Sequence, residues 1–157
     1  MADITRRGWL TGVLALTGSV ATWRTALQAQ GAVPIAVYKD PGCGCCEKWV
    51  AHMKANGFAP TVTNTSDLTA INTRYKVPTS VESCHTAIVG NYVIEGHVPA
   101  SDVKRLLAEK TPGIVGLSIP GMPQSAPGMD MTPFQPYTVI TFDAKGPTGT
   151  FAQHSRP

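Results

Sequence analysis

The sequence predicts an α/β fold, and three observations support this class. Short apolar runs with strand character alternate with segments in which apolar residues recur at helical spacing. Glycine and proline turns separate these segments. The chain has 157 residues, of which 43% are apolar and 15% charged, which is typical of one globular domain rather than a disordered chain. We therefore predict a single folded α/β domain.

The first half of the domain is predicted to run strand, helix, strand, helix. A short apolar strand over residues 35–38 ends at the turn of residues 39–42. A second strand is predicted over residues 60–63, and a second helix follows Ser66 or Asp67, both of which are residue types that cap helix N-termini. The first helix is predicted from apolar residues at i, i+3, i+4 and i+7, namely Cys46, Trp49, Val50 and Met53.

A hairpin and a third helix complete a predicted β-α-β-α-β-β-α order. Strand patterns over residues 86–89 and 92–95 flank a Gly-Asn pair, which is typical of a two-residue hairpin turn. Pro99 then opens a helix that ends before Pro112, because proline is favoured at the start of a helix and excluded from its interior.

The last part of the chain is predicted to be an extension of this domain. From residue 114 to residue 131 the sequence is rich in proline, glycine and methionine, and prolines at this density exclude a helix or a central strand. We therefore predict a Pro/Met-rich loop. Strand character returns over residues 137–142 and 150–152, which predicts an added C-terminal hairpin with no assigned function.

The first 29 residues have the pattern of an export signal. Arg6 and Arg7 precede an uncharged apolar stretch over residues 11–23, which is short for a membrane span, and the small residue Ala29 lies near its end. The arginine pair indicates a twin-arginine signal, and we therefore predict that residues 30–157 form a periplasmic domain. An uncleaved membrane anchor is the alternative interpretation.

The charge of the chain argues against a nucleic-acid-binding protein. The formal charge is +3, and the residues after position 29 contain ten basic and nine acidic groups, so the excess belongs mostly to the predicted signal. After cleavage we expect neither nucleic acid nor membrane as a partner. All four cysteines lie after position 29, and in an oxidising compartment they would pair, bind metal or react.

Three cysteines, Cys43, Cys45 and Cys46, lie at the predicted N-terminus of the first helix. The unpaired amides and the positive end of the helix dipole favour thiolate over thiol at this position, which lowers the pKa of a cysteine. Their spacing supports two chemistries, because Cys43 and Cys46 form a Cys-x-x-Cys redox pair and the thiolates together can hold a soft metal ion. A structural disulfide from this cluster to Cys84 is the alternative.

Methionines form the next candidate group. Met122 and Met129 each end a Pro-Gly-Met triplet, and Met131 follows. Because no helix can form in this segment, core packing is a weaker explanation for these thioethers than it would be on a helix. Thiolate, thioether and imidazole ligands together favour Cu(I) over Zn²⁺ and exclude Mg²⁺ and Ca²⁺. The sequence therefore predicts copper, and the alternative is a methionine loop that only covers exposed core.

The element order resembles a thioredoxin fold. The resemblance rests on a Cys-x-x-Cys pair at a strand-to-helix junction, a Val-Pro step before an antiparallel hairpin, and a closing helix. In such a fold the loop after the proline lies beside the Cys-x-x-Cys pair, which implies that Cys84 and His85 are metal ligands. His97, in the loop after the hairpin, is either a further ligand or a surface histidine.

Several spaced motifs resemble the CopG-like family of small exported bacterial proteins associated with copper resistance. They lie in residues 38–49, 83–87 and 95–99 and in the Pro-Gly-Met segment, and the resemblance covers residues 35–131. It implies a thioredoxin-like domain that binds copper through cysteines and can also carry out dithiol chemistry. The predicted metal ligands are Cys43, Cys45, Cys46, Cys84, His85, His97, Met122 and Met129.

Two functions of different classes follow from these residues. The leading prediction is a periplasmic protein that sequesters Cu(I) or passes it to another copper-handling protein. The rival is a thiol-disulfide oxidoreductase in which Cys43 attacks a substrate disulfide and Cys46 resolves it, and the two activities could be coupled. Cys45 and Cys84 have no part in the rival scheme. A third interpretation, a disulfide-stabilised interaction domain, predicts no metal uptake and no free thiol.

Overall fold

A seven-stranded mixed β-sheet organises the chain. The computed structural model describes residues 31–156, so the predicted export signal lies outside the described residues. Within that range, no helix combines the length and the apolar character needed to cross a membrane. The strands are β1 (Val33–Lys39), β2 (Phe58–Asn64), β3 (His85–Val89), β4 (Tyr92–Glu95), β5 (Gly116–Ser118), β6 (Tyr137–Asp143) and β7 (Gly146–His154).

Three α-helices lie among the described residues. They are α1 (Gly44–Ala55), α2 (Leu68–Arg74) and α3 (Ala100–Glu109), and a short 3-10 helix covers Thr79–Val81. The order of elements through α3 is the predicted β-α-β-α-β-β-α, and the α/β class is confirmed.

The sheet has the strand order β2-β1-β3-β4-β5-β6-β7. β1 is parallel to β2, and β4 is parallel to β5. The other neighbours are antiparallel, including the β3–β4 hairpin and the β6–β7 hairpin. The predicted C-terminal hairpin therefore exists, and it extends the main sheet through β5.

The predicted apolar face of α1 is buried in the core. Cys46, Trp49 and Met53 are fully buried, and Trp49 Nε1 donates a hydrogen bond to the carbonyl oxygen of Val98 at 2.9 Å. The helix begins after Cys43, so the three clustered cysteines occupy its N-cap and first turn, as predicted.

The second helix, α2, buries a polar residue against the sheet. Asp67 caps it, because its carboxylate accepts a hydrogen bond from the Ala70 amide at 2.9 Å. The apolar residue Ile71 is only half-buried, whereas Asn72 is buried. The Asn72 side-chain oxygen accepts a 2.7 Å hydrogen bond from Thr86 Oγ1 on β3, so a polar contact anchors α2 to the sheet.

Strand β5 was not predicted from the sequence and lies within the segment expected to be a loop. It contains three residues, and it begins at Gly116, where a Cβ atom would collide with the backbone of Val93 on β4. Strand signals depend on alternation over four or more residues, so a three-residue strand beside a proline-rich segment gives none. The Pro/Met-rich loop leaves β5 and returns to the sheet at β6.

Candidate metal centre

The candidate ligands lie together at one end of the sheet, where three neighbouring strands begin or end. β1 runs into the turn that starts α1, β3 begins at His85, and β4 ends two residues before His97. The register pairs Lys39 of β1 with His85, and Thr86 with Glu95. The cysteines at the start of α1, the Cys84-His85 step and His97 therefore lie at the same end of the fold.

The cysteines combine one disulfide with two free thiols. Cys43 and Cys46 are disulfide-bonded, whereas Cys45 and Cys84 are free. Cys45 Sγ lies 3.5 Å from Cys43 Sγ, and all four sulfur atoms lie within 4.8 Å of one another. The alternative prediction of a disulfide from this cluster to Cys84 is wrong, because the Cys-x-x-Cys residues bond to each other.

A second group of ligand atoms overlaps the first. Cys46, Cys84, His85 and His97 also offer ligand atoms within 4.8 Å of one another. The two groups share Cys46 and Cys84. The structure thus brings together six of the eight predicted metal-ligating residues, and their assignment as ligands stays a prediction.

Cys84 occupies the centre of this cluster. Its Sγ lies 3.1 Å from Nε2 of His97 and 3.4 Å from Nδ1 of His85. Burial, followed by the nearby Cys45, raises the pKa of Cys84 to about 11. Cys84 is therefore a thiol at neutral pH, and a metal ion that binds here must displace its proton.

His97 is held in an orientation suited to a ligand. Its Nδ1 lies 2.7 Å from the carbonyl oxygen of Pro127, to which only a protonated nitrogen can donate. In the neutral ring, Nε2 then carries the lone pair that faces Cys84. Burial lowers the pKa of His97, against the opposing effects of the Pro127 contact and Asp130. Metal-binding histidines commonly have such a carbonyl partner on the second nitrogen.

His85 is a buried histidine with an unpaired nitrogen. Its ring lies between the rings of Trp49 and His97, with centroid distances of 4.4 Å and 5.1 Å. Burial, with smaller effects of His97 and Lys39, lowers the pKa of His85 to about 3. Among the described residues its buried Nε2 has no hydrogen-bond partner. Such a group calls for an explanation, and a bound metal ion is one.

The atoms of the cluster fit a soft metal ion. Two-electron reduction of the Cys43–Cys46 disulfide, with uptake of two protons, would give four thiols beside two neutral imidazoles. Thiolate and imidazole ligands suit Cu(I), Zn²⁺ and similar ions, whereas oxygen-seeking Mg²⁺ and Ca²⁺ would lack ligands here.

The Pro/Met-rich loop packs onto the cluster through its backbone. A Cβ atom on Gly128 would lie 2.8 Å from the Trp49 amide nitrogen and 2.9 Å from the Cys45 carbonyl oxygen, so only glycine fits. Met129 follows this contact and is half-buried, whereas the Met122 side chain is 43% exposed. The loop therefore covers the start of α1, and the two thioethers stay predicted ligands.

Two buried charged residues were not recognised from the sequence. Lys39 is fully buried at the end of β1, and its Nζ lies 2.6 Å from Glu47 in the first turn of α1. Glu95 is also fully buried; burial raises its pKa to about 8, although its Oε2 accepts a hydrogen bond from the Ser83 amide at 3.1 Å. The available signal was that each charge ends a run of apolar strand residues.

The chain resembles one described protein family and two solved structures. The family described as "Protein of unknown function, DUF411" matches residues 81–129, which include Cys84, His85, His97 and the Pro-Gly-Met segment. No curated protein matches the chain.

Two solved structures match most of the chain, and both are of a copper resistance protein copG. Form 1 shares 37% identity with this chain, covers 78% of it and 98% of its own chain, and has a TM-score of 0.72. Form 2 has the same identity and coverage and a TM-score of 0.71. Identity at this level over nearly the whole of the relative shows common descent. The chain therefore belongs to the CopG-like family.

Proposed function

We propose that this protein is a periplasmic copper-binding protein that sequesters Cu(I) or passes it to another copper-handling protein. The single observation that carries the proposal is the convergence of four sulfur atoms and two imidazoles, in two overlapping groups, around Cys46 and Cys84. The names of the two related structures, both of a copper resistance protein, support copper as the metal. The sulfur-rich ligand set favours the monovalent ion.

The proposed mechanism is capture followed by closure. After a thiol reductant has supplied two electrons and two protons to the Cys43–Cys46 disulfide, Cu(I) binds first to the thiolates at the start of α1, and Cys84 with His97 and His85 then completes the coordination. Because Cys84 is protonated at neutral pH, binding releases protons and becomes tighter as pH rises. Met129, which follows the Gly128 contact, and Met122 add thioethers or shield the ion from water.

The proposed location and fold rest on further features. The arginine pair and apolar stretch before residue 24 support export by a twin-arginine signal. The sheet order β2-β1-β3-β4, with a parallel first pair and an antiparallel hairpin, supports a thioredoxin-like arrangement for residues up to α3. In this arrangement β5 to β7 are additions at one edge.

A thiol-disulfide oxidoreductase is the second candidate function. The observation that favours it is the pairing of Cys43 with Cys46, which is the pair that this chemistry would use. Cys43 at the N-cap is half-buried and Cys46 is fully buried, so Cys43 is the sulfur that a substrate thiolate can reach. Attack by a substrate thiolate forms a mixed disulfide at Cys43 and releases the Cys46 thiolate. The second substrate thiol then attacks the substrate sulfur of the mixed disulfide and releases Cys43. The substrate leaves as a disulfide, and the protein has gained two electrons.

Substitution of Cys45 separates the two functions. We expect Cys45→Ser, in the reduced mature protein, to weaken Cu(I) binding at least about tenfold because it removes a sulfur of the cluster. Disulfide reduction in an insulin assay should be unchanged in the same variant. Cu(I) affinity is measured anaerobically by competition with a chromogenic chelator, and bound copper and free thiols are counted in the same sample.

Cys46→Ser is the matched comparison, since it removes the disulfide and also a sulfur shared by both ligand groups. It should abolish reductase activity and weaken copper binding. Full Cu(I) affinity in Cys45→Ser would contradict the proposed copper site. Loss of reductase activity in Cys45→Ser would contradict the simple Cys43–Cys46 scheme.

A further inference from the structure

A pocket outside the cysteine cluster carries a second set of metal-ligating side chains. It has a volume of about 380 Å³ and lies between the Pro/Met-rich loop and the end of the C-terminal hairpin. Asp130 and Met131 line it from the loop, and Tyr137, His154 and Arg156 line it from the hairpin and the residues beyond. The C-terminal hairpin has no function predicted from its sequence.

His154 lines the pocket, and Asp102 holds the histidine from outside the lining. His154 Nε2 lies 2.7 Å from Asp102 Oδ2, and the Asp102 side chain is only 9% exposed. The carboxylate accepts a hydrogen bond from the Nε2 proton, so the neutral ring keeps its lone pair on Nδ1. Among the described residues Nδ1 has no hydrogen-bond partner, and the His154 side chain is 26% exposed. A carboxylate that orients a histidine in this way is typical of metal sites.

The Tyr137 ring restricts the histidine further. The two rings stack with a centroid distance of 4.7 Å and an interplanar angle of 17°. With Asp102 on one nitrogen and Tyr137 on the ring face, His154 has little freedom to rotate. A ligand nitrogen held in place before binding loses less entropy when the metal arrives.

The Pro/Met-rich loop contributes a carboxylate and a thioether to the pocket lining. Asp130 is exposed, and its Oδ2 accepts a hydrogen bond from the Gly128 amide at 3.2 Å. Met131 is 55% exposed and lines the pocket, so its thioether is accessible to an ion there. One carboxylate, Asp130, and one guanidinium, Arg156, line the pocket, and a second carboxylate, Asp102, contacts His154 from outside the lining; the excess of negative charge favours a cation.

We propose that this pocket is a second metal site, which takes Cu²⁺ through Nδ1 of His154, the carboxylate of Asp130 and the thioether of Met131. Imidazole and carboxylate are ligands of Cu²⁺, which binds more tightly than other divalent first-row ions to such groups, and a thioether serves it as a weak extra ligand. Asp102 is a positioning residue. The site goes beyond the proposed function, because it uses none of the cysteines.

The pocket and the cysteine cluster are joined by one loop. Pro127 accepts the hydrogen bond from His97, Gly128 packs on the start of α1, and Asp130 bonds to the Gly128 amide while it lines the pocket. Residues 127–131 therefore touch both sites. An ion in the pocket would therefore bind to the same loop that packs on the start of α1.

The test uses the Cys45→Ser/Cys84→Ser double variant of the mature chain. The chain has four cysteines, and the other two form the Cys43–Cys46 disulfide, so this protein has no free thiol to bind or reduce Cu²⁺. Copper(II) sulfate is titrated against a glycine competitor and followed by electron paramagnetic resonance. We expect one tightly bound Cu²⁺ per chain with nitrogen hyperfine splitting, and early paramagnetic broadening of the amide signals of Tyr137 and His154 in NMR spectra.

Three further substitutions in that background locate the ion. His154→Gln should weaken Cu²⁺ binding at least about tenfold, and Asp102→Asn should weaken it by a similar factor while the nitrogen splitting remains. His52→Gln is the matched control, because His52 Nε2 already accepts a hydrogen bond from the Ala100 amide and His52 does not line the pocket. It should leave the affinity unchanged.

The outcomes distinguish this site from the cysteine cluster. Full Cu²⁺ affinity in His154→Gln, or broadening centred on His52, His85 or His97, would overturn the proposal. The His154 side chain is partly exposed, so the His154→Gln variant should fold. Its NMR spectrum reports the folded fraction, and Cu²⁺ affinities are compared with the parent protein at equal folded fraction. If reduced wild-type protein fails to bind Cu(I) while the double variant still binds Cu²⁺ through His154, the proposed function fails and this site stands.

Discussion

Substitution of Gly128 by alanine tests whether the backbone contact of the Pro/Met-rich loop supports the cysteine cluster. The residue has a φ angle of +88°, and a Cβ atom would lie 2.8 Å from the Trp49 amide nitrogen and 2.9 Å from the Cys45 carbonyl oxygen. These atoms belong to the backbone of α1 and cannot move without distorting the helix. Gly121→Ala is a matched control, because Gly121 has a φ of +76° and nothing lies within 4 Å of its would-be Cβ.

The two substitutions differ only in the clash. A left-handed backbone costs alanine about 1–2 kcal/mol, so we expect Gly121→Ala to lower the free energy of unfolding by about that amount. Gly128→Ala adds about 1–3 kcal/mol for overpacking, which gives a total of about 2–5 kcal/mol. The measurement is urea denaturation of both variants and the wild type, followed by tryptophan fluorescence and circular dichroism.

The clash should also change the orientation of a predicted metal ligand. A shifted loop lengthens the 2.7 Å contact between His97 and Pro127, so the His97 ring loses its orienting partner. We expect Gly128→Ala to weaken Cu(I) binding about tenfold or more and Gly121→Ala to leave it unchanged. Equal unfolding free energies in the two variants, with equal copper affinity, would refute the claim that this loop is seated on α1.

Three further predictions concern protons and metal. The folded pKa of His85, about 3, lies below its unfolded value of 6.5, so the stability that the neutral ring contributes is fully present above pH 6.5. It falls as pH drops toward 3, by up to about 1.4 kcal/mol per pH unit. In urea titrations between pH 7 and pH 4, His85→Gln should therefore lose less stability than the wild type. Burial raises the pKa of Glu95 to about 8, so the stability that its protonated form contributes is fully present below pH 4.5 and is lost as pH rises through 8. Glu95→Gln should therefore raise the free energy of unfolding at pH 8 by about 1–3 kcal/mol. A decrease instead would show that the fold requires the ionised carboxylate. Cu(I) at a thousandfold excess over its Kd should raise the free energy of unfolding by about 4 kcal/mol, and a copper chelator should reverse the rise in melting temperature; a chelator-insensitive melting curve would contradict binding at the cluster.

Sequence reasoning succeeded where signals are local. The Cys46, Trp49 and Met53 spacing located the buried face of α1, and the Gly-Asn pair located the β3–β4 hairpin. Both depend on periodicity or turn chemistry within about ten residues. Strand β5 has too few residues to produce such a signal, and α2 is held by the Asn72–Thr86 hydrogen bond rather than by its apolar residues.

The site could be predicted only in part. The three cysteines of α1 are neighbours in sequence, but the approach of Cys84, His85 and His97 depends on the strand order and was available only through a family resemblance. The spacing identified Cys43 and Cys46 as a Cys-x-x-Cys pair, which the structure shows as a disulfide, but spacing alone left a disulfide to Cys84 as an alternative. The Gly128 contact and the Asp102–His154 pair join distant segments and have no local pattern.

The position of Trp49 gives the protein an optical probe of its own. Its indole lies with its centroid 4.4 Å from the His85 ring, three residues after the disulfide sulfur of Cys46. The other two tryptophans are Trp9 and Trp23, so a chain that lacks residues 1–29 emits from Trp49 alone. A heavy or redox-active ion in the cluster would quench that emission at close range. Binding kinetics could thus be followed by stopped-flow in unlabelled protein.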